Sequence, residues 1–533
     1  MKSNTIKDLL TPFHLYLFGI AVISIGIPTS NFLMSIAQMI MLTAWVWDGK
    51  LKSKLTSFTR NKAALVAVSI FALHVLWLVN TTDFVYAVKD LRTKIPLLIL
   101  PLVFSTMPTL SRKQMLFFIG LFSASVLFSS IYSIYVLINE HITDHRNMSV
   151  FISHIRFSLS VCLAAFLMAY TYTQHSLKLW LRILAAITAI WFTVFLFILG
   201  AMTGIIVLFS SIVILMLIYI FRKTTAKYRV AFILILIGLP TALFFYTRNI
   251  VIELTTPVII NFSELEKETP HGHWYIHDTI HFGRENGKWI GLYFCPEELP
   301  EAWSKQSELD YFGLDEKGQA LQSTLVRYLN SKGLKKDAEG VAQLSKEDVR
   351  FIESGVANIN YVRGNPIKKA ICQFLFGYEI YQNNKDPRGS TMMQRFELWH
   401  ASTNIISKNF LTGVGTGDLP IMFKTELNHM GSTLCHTSLR SHNQFLSIFV
   451  GFGLFGFIWF LFALFYPGFK LKKFKFFPFL IFFLIFMISL LNEDTIESQA
   501  GVTFFAFFNA FFLFACNFST DDTNNKSSAL SQS

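Results

Sequence analysis

The sequence is poor in charge: 15% of its 533 residues are Asp, Glu, Lys or Arg, against about 25% in soluble domains. With 53% hydrophobic residues and 56 Phe, it falls outside the ordinary soluble class. Cysteine is scarce. Five are present, with no CxxC and no zinc-type spacing, so neither a disulfide framework nor a structural zinc site is indicated. A disulfide among Cys295, Cys372 and Cys435, which share one large loop, stays open. No small-residue cleavage site follows the first apolar block, so the first helix is expected to remain as the insertion signal. Nucleotide fingerprints are missing too. The turn Gly413-Val414-Gly415-Thr416-Gly417-Asp418 is neither a Walker A loop nor a GxGxxG after a strand, although it suits close backbone approach to a phosphate.

The apolar residues fall in blocks of about 20, the length that crosses roughly 30 Å of hydrocarbon. They predict an all-α polytopic transmembrane protein of about twelve helices. The spans are Leu15–Thr29, Phe32–Trp47, Ala63–Val79, Ile95–Phe104, Gln114–Ile138 and Phe157–Tyr172. Trp180–Leu199, Gly204–Phe221, Val230–Tyr246, Gln444–Tyr466, Phe476–Leu491 and Gly501–Phe514 complete the set. The fourth contains Pro96 and Pro101 and is expected to be kinked or partly re-entrant.

The net charge of +12 does not indicate nucleic acid, because the cations lie mostly in short loops where topology explains them. Alternate loops are basic, from Lys50, Lys52 and Lys54 to Lys470, Lys472, Lys473 and Lys475, which puts both termini on the cytoplasmic side. Four regions follow: transmembrane helices over 1–247, a large extracytoplasmic loop or lid domain over 248–441 between the ninth and tenth spans, helices over 442–518, and a disordered cytoplasmic tail over 519–533. Two short outer loops break the charge rule. One carries Lys89, Arg92 and Lys94; the other carries His141, His145, Arg146, His154 and Arg156. Short loops tolerate some positive charge, but cations kept outside can also bind an anionic lipid headgroup.

Within the large loop, Glu285-Asn286-Gly287 between apolar alternations predicts a hairpin. Leu321–Ala357 reads as helical, broken at Gly333, with Ser345 and Asp348 as a capping box. His271, His273, His277 and His281 invite a metal, but the stretch alternates like a strand and lacks HExxH spacing, so no metal is assigned. Gln394–Lys408 reads as a helix with Arg395 and Trp399 on one face. That pair can clamp a phosphate and stack on a sugar, or anchor the helix at the interface.

His442 leads into an apolar span, where an ionisable group is expensive to keep without a function. It is either an interfacial hydrogen-bonding residue or a catalyst. Asn443 can cap the helix or orient the imidazole. Glu493, Asp494 and Glu497 form an acidic loop that can act as a base or simply obey topology.

Several of these features resemble the O-antigen ligase and polymerase superfamily of bacterial envelope membrane proteins: the Arg395-x3-Trp399 helix, the glycine turn, and His442-Asn443-Gln444-Phe445-Leu446. Gly451-Phe452-Gly453-Leu454-Phe455-Gly456, Glu497-Ser498-Gln499-Ala500-Gly501 and Lys89/Arg92/Lys94 before Pro96 are similar as well. The piece Arg327–Asp337 resembles an insertion in Bacteroidetes ligase-like proteins. The resemblance implies a GT-C-like, metal-independent, inverting glycosyltransferase of the bacterial inner membrane with its active site facing the periplasm. It would move a glycan from undecaprenyl diphosphate to an acceptor sugar hydroxyl, such as that of lipid A-core, among membrane lipids and without a cofactor. His442 would then be the base or acceptor-orienting residue and Arg395 would hold the diphosphate, with Arg156, Arg440, Lys89 and Arg92 as further cations and Trp399 and Asn443 as substrate contacts. Members often carry Ser-Arg where this chain has Ala201-Met202-Thr203-Gly204, so Arg156 or Arg440 would supply that charge. A polymerase, a protein O-oligosaccharyltransferase and, in another class, a lipid-linked glycan transporter are the alternatives.

Overall fold

A computed structural model describes residues 11–140, 145–257, 259–363, 365–436 and 440–516. The expectations for His141 and for the tail 519–533 lie outside the described residues, as do the side chains of His145 and Arg146. Helix makes up 73% of the structure. The chain forms two compact units. The first comprises Met1–Tyr219, Leu398–Gly431 and Cys435–Ser533; the second comprises Ile220–Glu397 and Ser432–Leu434.

In the first unit the helices are α1 (Pro12–Thr29), α2 (Asn31–Trp47), α3 (Leu51–Arg60), α4 (Lys62–Leu76), α5 (Phe84–Lys94), α6 (Pro96–Thr106), α7 (Arg112–Asn139), α8 (His154–Tyr172) and α9 (Leu179–Leu199). Helix α10 (Met202–Lys223) runs into the second unit, which begins at Ile220. The second unit holds α11 (Ala226–Thr255), β1 (Ile276–Asp278), β2 (Arg284–Glu285), β3 (Lys288–Trp289), β4 (Gly291–Phe294) and α12 (Leu299–Ser304). It continues through α13 (Leu321–Lys332), α14 (Ala338–Ala342), α15 (Lys346–Glu353) and α16 (Pro366–Asn384). Helix α17 (Thr391–Lys408) leads back to the first unit, which ends with α18 (Leu419–His429), α19 (Gln444–Lys470), α20 (Phe477–Asn492) and α21 (Gln499–Ala510).

Among the described residues, eight helices are long and apolar enough to cross a membrane, and α2 with α3, bent by 111°, makes a ninth candidate. Phe477–Asn492 and Gln499–Ala515 are apolar but shorter. Each of the twelve expected stretches falls on a helix, but α6 is 11 residues long and too short to span. Pro96 at its first turn separates it from α5, because proline has no N–H to continue the hydrogen-bond ladder of that helix, although Ile95 keeps a helical φ and ψ. Aromatic packing fills the core of the first unit. Phe486 of α20 stacks on Phe505 of α21 with centroids 4.1 Å apart, and Phe482 touches Phe504, Phe508 and Phe512.

Helix α19 is broken at Gly453, whose φ of 61° and ψ of −166° suit glycine alone. The glycine turn docks on this break. Val414 and Gly415 donate to Val450 O and Gly451 O, both at 2.9 Å, and Leu454 N donates to Phe410 O at 2.8 Å. A Cβ on Gly415 would lie 2.3 Å from Asn80 O, and one on Gly417 would lie 2.1 Å from Asp83 O. The close approach expected for a phosphate is thus made to other backbone. Asp418 completes the dock by accepting from Thr82 N and Asp83 N at 2.9 and 2.7 Å.

The second unit has its own small core around Trp303, Leu325, Tyr328, Leu329 and Ile352. The hairpin forms as expected: β2 pairs with β3 through Asn286 and Gly287, both at positive φ. Strand β1 pairs with β4. Leu321–Ala357 is helical in three pieces rather than two, with Gly333 closing α13 in the left-handed conformation and Ser345 and Asp348 forming the capping box of α15. All five cysteines are buried and unpaired.

Candidate active site

The segment Arg440–Gln444 is held from three directions by buried polar groups of the first unit. Helix α19 needs a cap for its first amides, and Asn443 Oδ1 supplies it, accepting from Phe445 N and Leu446 N at 3.0 and 3.2 Å. The Asn443 amide donates to Leu491 O at 3.1 Å, so its side chain serves the cap and the end of α20. His442 sits just before the cap at φ 51°. A left-handed histidine is uncommon, and such backbone strain concentrates at functional sites.

The acidic loop sets the position of this histidine. Asp494 accepts from His442 N at 2.9 Å and from Ser447 Oγ at 2.6 Å. Glu493 Oε2 lies 3.7 Å from His442 Nδ1, with the imidazole about a third exposed and the carboxylate buried. Glu497 is the hub of the remaining charges. It receives Lys94 Nζ at 2.8 Å, Gln444 Nε2 at 2.8 Å and the Arg440 guanidinium. Lys94 also meets Asp90 at 3.1 Å, and Arg440 donates to Tyr86. Burial raises the Glu497 carboxyl, but Lys94 and Arg440 outweigh it and hold the group well below its ordinary value. Burial lowers Lys94, but Asp90 and Glu497 outweigh it, so the ammonium is held charged.

Arg156, on α8, donates through Nη2 to Asp494 O at 2.9 Å and through Nε to Ser498 at 3.1 Å. Its Nη1 is buried without a partner among the described residues. Trp399 donates its indole N–H to Ser441 O at 2.9 Å, which ties α17 to the residue before His442. Lys89 and Arg92 are exposed on α5. The structure therefore gathers Arg156, Trp399, Arg440, His442 and Asn443 into one network. Arg395 lies one turn before Trp399 on α17, in the part assigned to the second unit.

Sequence reasoning left out Asp90, Tyr86 and Ser447, and named Gln444 only within the His442–Leu446 motif, without a role. The i,i+4 pair Asp90–Lys94 was a readable signal; nothing local marked the others. Three of the four loop histidines have separate partners: His273 meets Glu297, His277 meets Glu266 O, and His281 meets Asp278. No cluster of three metal-ligating side chains occurs among the described residues.

Residues 370–461 match the family described as O-Antigen ligase. Over this stretch the chain is similar to the O-antigen ligase superfamily. The match covers α17, the glycine turn, His442 and most of α19. No curated protein matches the chain. This match and the run of apolar helices support a multi-pass membrane protein with a domain similar to O-antigen ligases.

Proposed function

We propose that this protein acts as an O-antigen ligase and transfers a glycan from an undecaprenyl-diphosphate carrier to an acceptor sugar hydroxyl, that of lipid A-core, on the periplasmic side of the bacterial inner membrane. The observation that carries the reading is His442: a partly exposed imidazole on a strained backbone, whose main-chain N–H donates to Asp494 and whose ring stands 3.7 Å from Glu493. His442 takes the proton of the acceptor hydroxyl, and the Glu493 carboxylate stabilises the imidazolium that results. The acceptor oxygen attacks the anomeric carbon from the face opposite the diphosphate, and the configuration inverts. Diphosphate is a good leaving group, so the protein has only to neutralise it, without a metal ion.

Arg395, Lys89 and Arg92 serve as diphosphate ligands, joined by Arg156 through its unpartnered Nη1. Arg440 carries its charge in balance with Glu497 and orients the segment before His442. Trp399 and Asn443 border the acceptor. The alternate basic loops favour cytoplasmic placement of the loop at Lys50–Lys62 and periplasmic placement of residues 248–441. About twelve helices then lie in the membrane, with Phe477–Asn492, Gln499–Ala515 and α6 supported within the bundle.

The test is a transfer assay with purified protein in detergent, undecaprenyl-diphosphate glycan, lipid A-core acceptor and EDTA. Wild type transfers; folded His442→Ala and Arg395→Ala do not. Turnover only with a second lipid-linked glycan as acceptor makes the protein a polymerase. Movement of the donor across liposomes with no turnover overturns the enzyme reading in favour of transport.

A further inference from the structure

The second unit contains a cleft that the transfer reaction does not use. Strands β3 and β4, the end of α13 and the segment at Ile259–Leu265 enclose about 510 Å³, within the size range of small-ligand pockets. Three lysines line it: Lys288, Lys335 and Lys336. Their counter-charges are few. Lys335 pairs with Glu266 at 2.6 Å. Lys336 is 3% exposed and, among the described residues, has only neutral acceptors, Leu292 O at 3.0 Å and Asn330 Oδ1 at 2.9 Å. Burial, with the Lys288 ammonium adding to it, lowers Lys336 to about 8. Lys288 is exposed and makes no ion pair among the described residues, and its Nζ stands 3.2 Å from where a Cβ on Gly333 would be. The one lining carboxylate, Glu264, takes a bond from Asn261 at 2.7 Å.

A buried ammonium with no carboxylate partner is costly, and a second cation beside it adds to the cost. That combination in a cleft marks a place for an anion. The other walls say what carries the anion. Trp289 and Tyr293 line the cleft, and Lys335 Nζ lies 5.4 Å from the Tyr293 centroid. Aromatic rings beside amide and ammonium donors suit a sugar, whose C–H face packs on the ring while its hydroxyls take hydrogen bonds. Tyr293 also holds φ 50°. For a bulky residue this is a true outlier, of the kind that persists at ligand clamps.

We infer that this cleft binds a carbohydrate bearing an anionic substituent, a carboxylate or a phosphate, with a sugar ring on Trp289 or Tyr293 and the anion at Lys288 and Lys336. The inference concerns binding within the second unit and does not rest on the transfer reading.

The test is calorimetric titration of the full-length protein in detergent with tetragalacturonate, mannose 6-phosphate and, as the neutral control, maltotetraose. At least one anionic probe binds saturably, and maltotetraose binds at least tenfold more weakly. Lys288→Gln weakens the anionic probe at least tenfold, Lys288→Arg keeps it, and added salt reduces it. Binding of tetragalacturonate alone identifies a carboxylated sugar, and binding of mannose 6-phosphate alone a phosphorylated one. Equal affinity for neutral and charged probes, no binding of any probe, or full binding by Lys288→Gln overturns the inference. His442→Ala leaves this binding intact, so the two readings fail separately.

Discussion

Lys94 and Glu497 are 403 positions apart in sequence, yet the lysine Nζ lies 2.8 Å from the glutamate Oε2, and the lysine is fully buried. Arg440 shares the same carboxylate, and His442 follows two residues later. One acidic side chain before α21 thus joins α5 to the chain that enters α19. The position of the candidate base depends on charge balance as well as on packing.

Replacing Lys94 by Met leaves Asp90 and Glu497 buried with one cation fewer. Loss of one partner from a buried ion pair costs about 3–5 kcal/mol. Thermal unfolding of the purified protein in detergent, followed by tryptophan fluorescence, will show a loss of that size. A change below about 1 kcal/mol is what an exposed pair would give, and it would remove the bridge from this account.

The same carboxylate predicts an acid limit. Glu497 is held below its ordinary value of 4.5 because Lys94 and Arg440 overcome the effect of burial. A depressed folded-state pKa contributes stability that is fully present above the ordinary value and is lost as pH falls through the lowered one. Wild-type unfolding midpoints will therefore fall as pH drops below about 4.5. Glu497→Gln, less stable at neutral pH, will show a flatter acid limb. Parallel curves for the two proteins would contradict this.

The legible features are those set by neighbours in the chain. Asn443 as a helix cap, Ser345 with Asp348 as a capping box, and Asn286-Gly287 as a hairpin turn all follow from contacts within a few residues. The apolar helices follow from composition. His442 and Trp399 stood out because polar and aromatic groups beside apolar runs are conspicuous. What stayed hidden is long-range. Asp494 looked like topology and holds His442 from 52 positions away. The glycine turn looked like a phosphate cradle and packs instead on Gly451 and Asn80. Burial of ionisable groups has no period in sequence, so Glu497 could not be told from an exposed acid.

Asp494 is a positioning residue for His442, and its amide analogue separates geometry from charge. Asp494→Asn keeps an oxygen that can accept from His442 N. Asp494→Ala frees the strained histidine, and a displacement of about 1 Å costs on the order of 10²-fold in rate. In the transfer assay Asp494→Ala will lose kcat by that order with little change in KM for the donor, and Asp494→Asn will recover most of it. Equal defects in the two variants would assign Asp494 an electrostatic role instead.

Gly453 tests the break in α19. A Cβ there would lie 2.4 Å from Leu411 O, on a residue at φ 61°. That glycine-only backbone region costs an L-residue about 1–3 kcal/mol, and the clash adds to it. Gly453→Ala will lower the unfolding midpoint and reduce folded yield, whereas Gly120→Ala, a site with open space around it, will change neither. A Gly453→Ala protein of wild-type stability would mean that α19 can run straight without the glycine dock.

Lys336 carries the opposite charge to Glu497, and its pKa is lowered as well. Its folded-state value is lowered by burial to about 8 from an ordinary 10.5. Between those values the unfolded chain holds the proton and the folded one has released it, so stability rises with pH across the window. Lys336→Met removes both the buried charge and its titration, because Leu292 O and Asn330 then lose only a donor. Hydrogen exchange of α13 and β4, measured in the full-length protein from pH 7 to 10, will report opening free energies that rise with pH in wild type. In Lys336→Met they will be flat and, at pH 7, no lower than in wild type. A lower value at pH 7 would show that the ammonium stabilises this unit even without a bound anion.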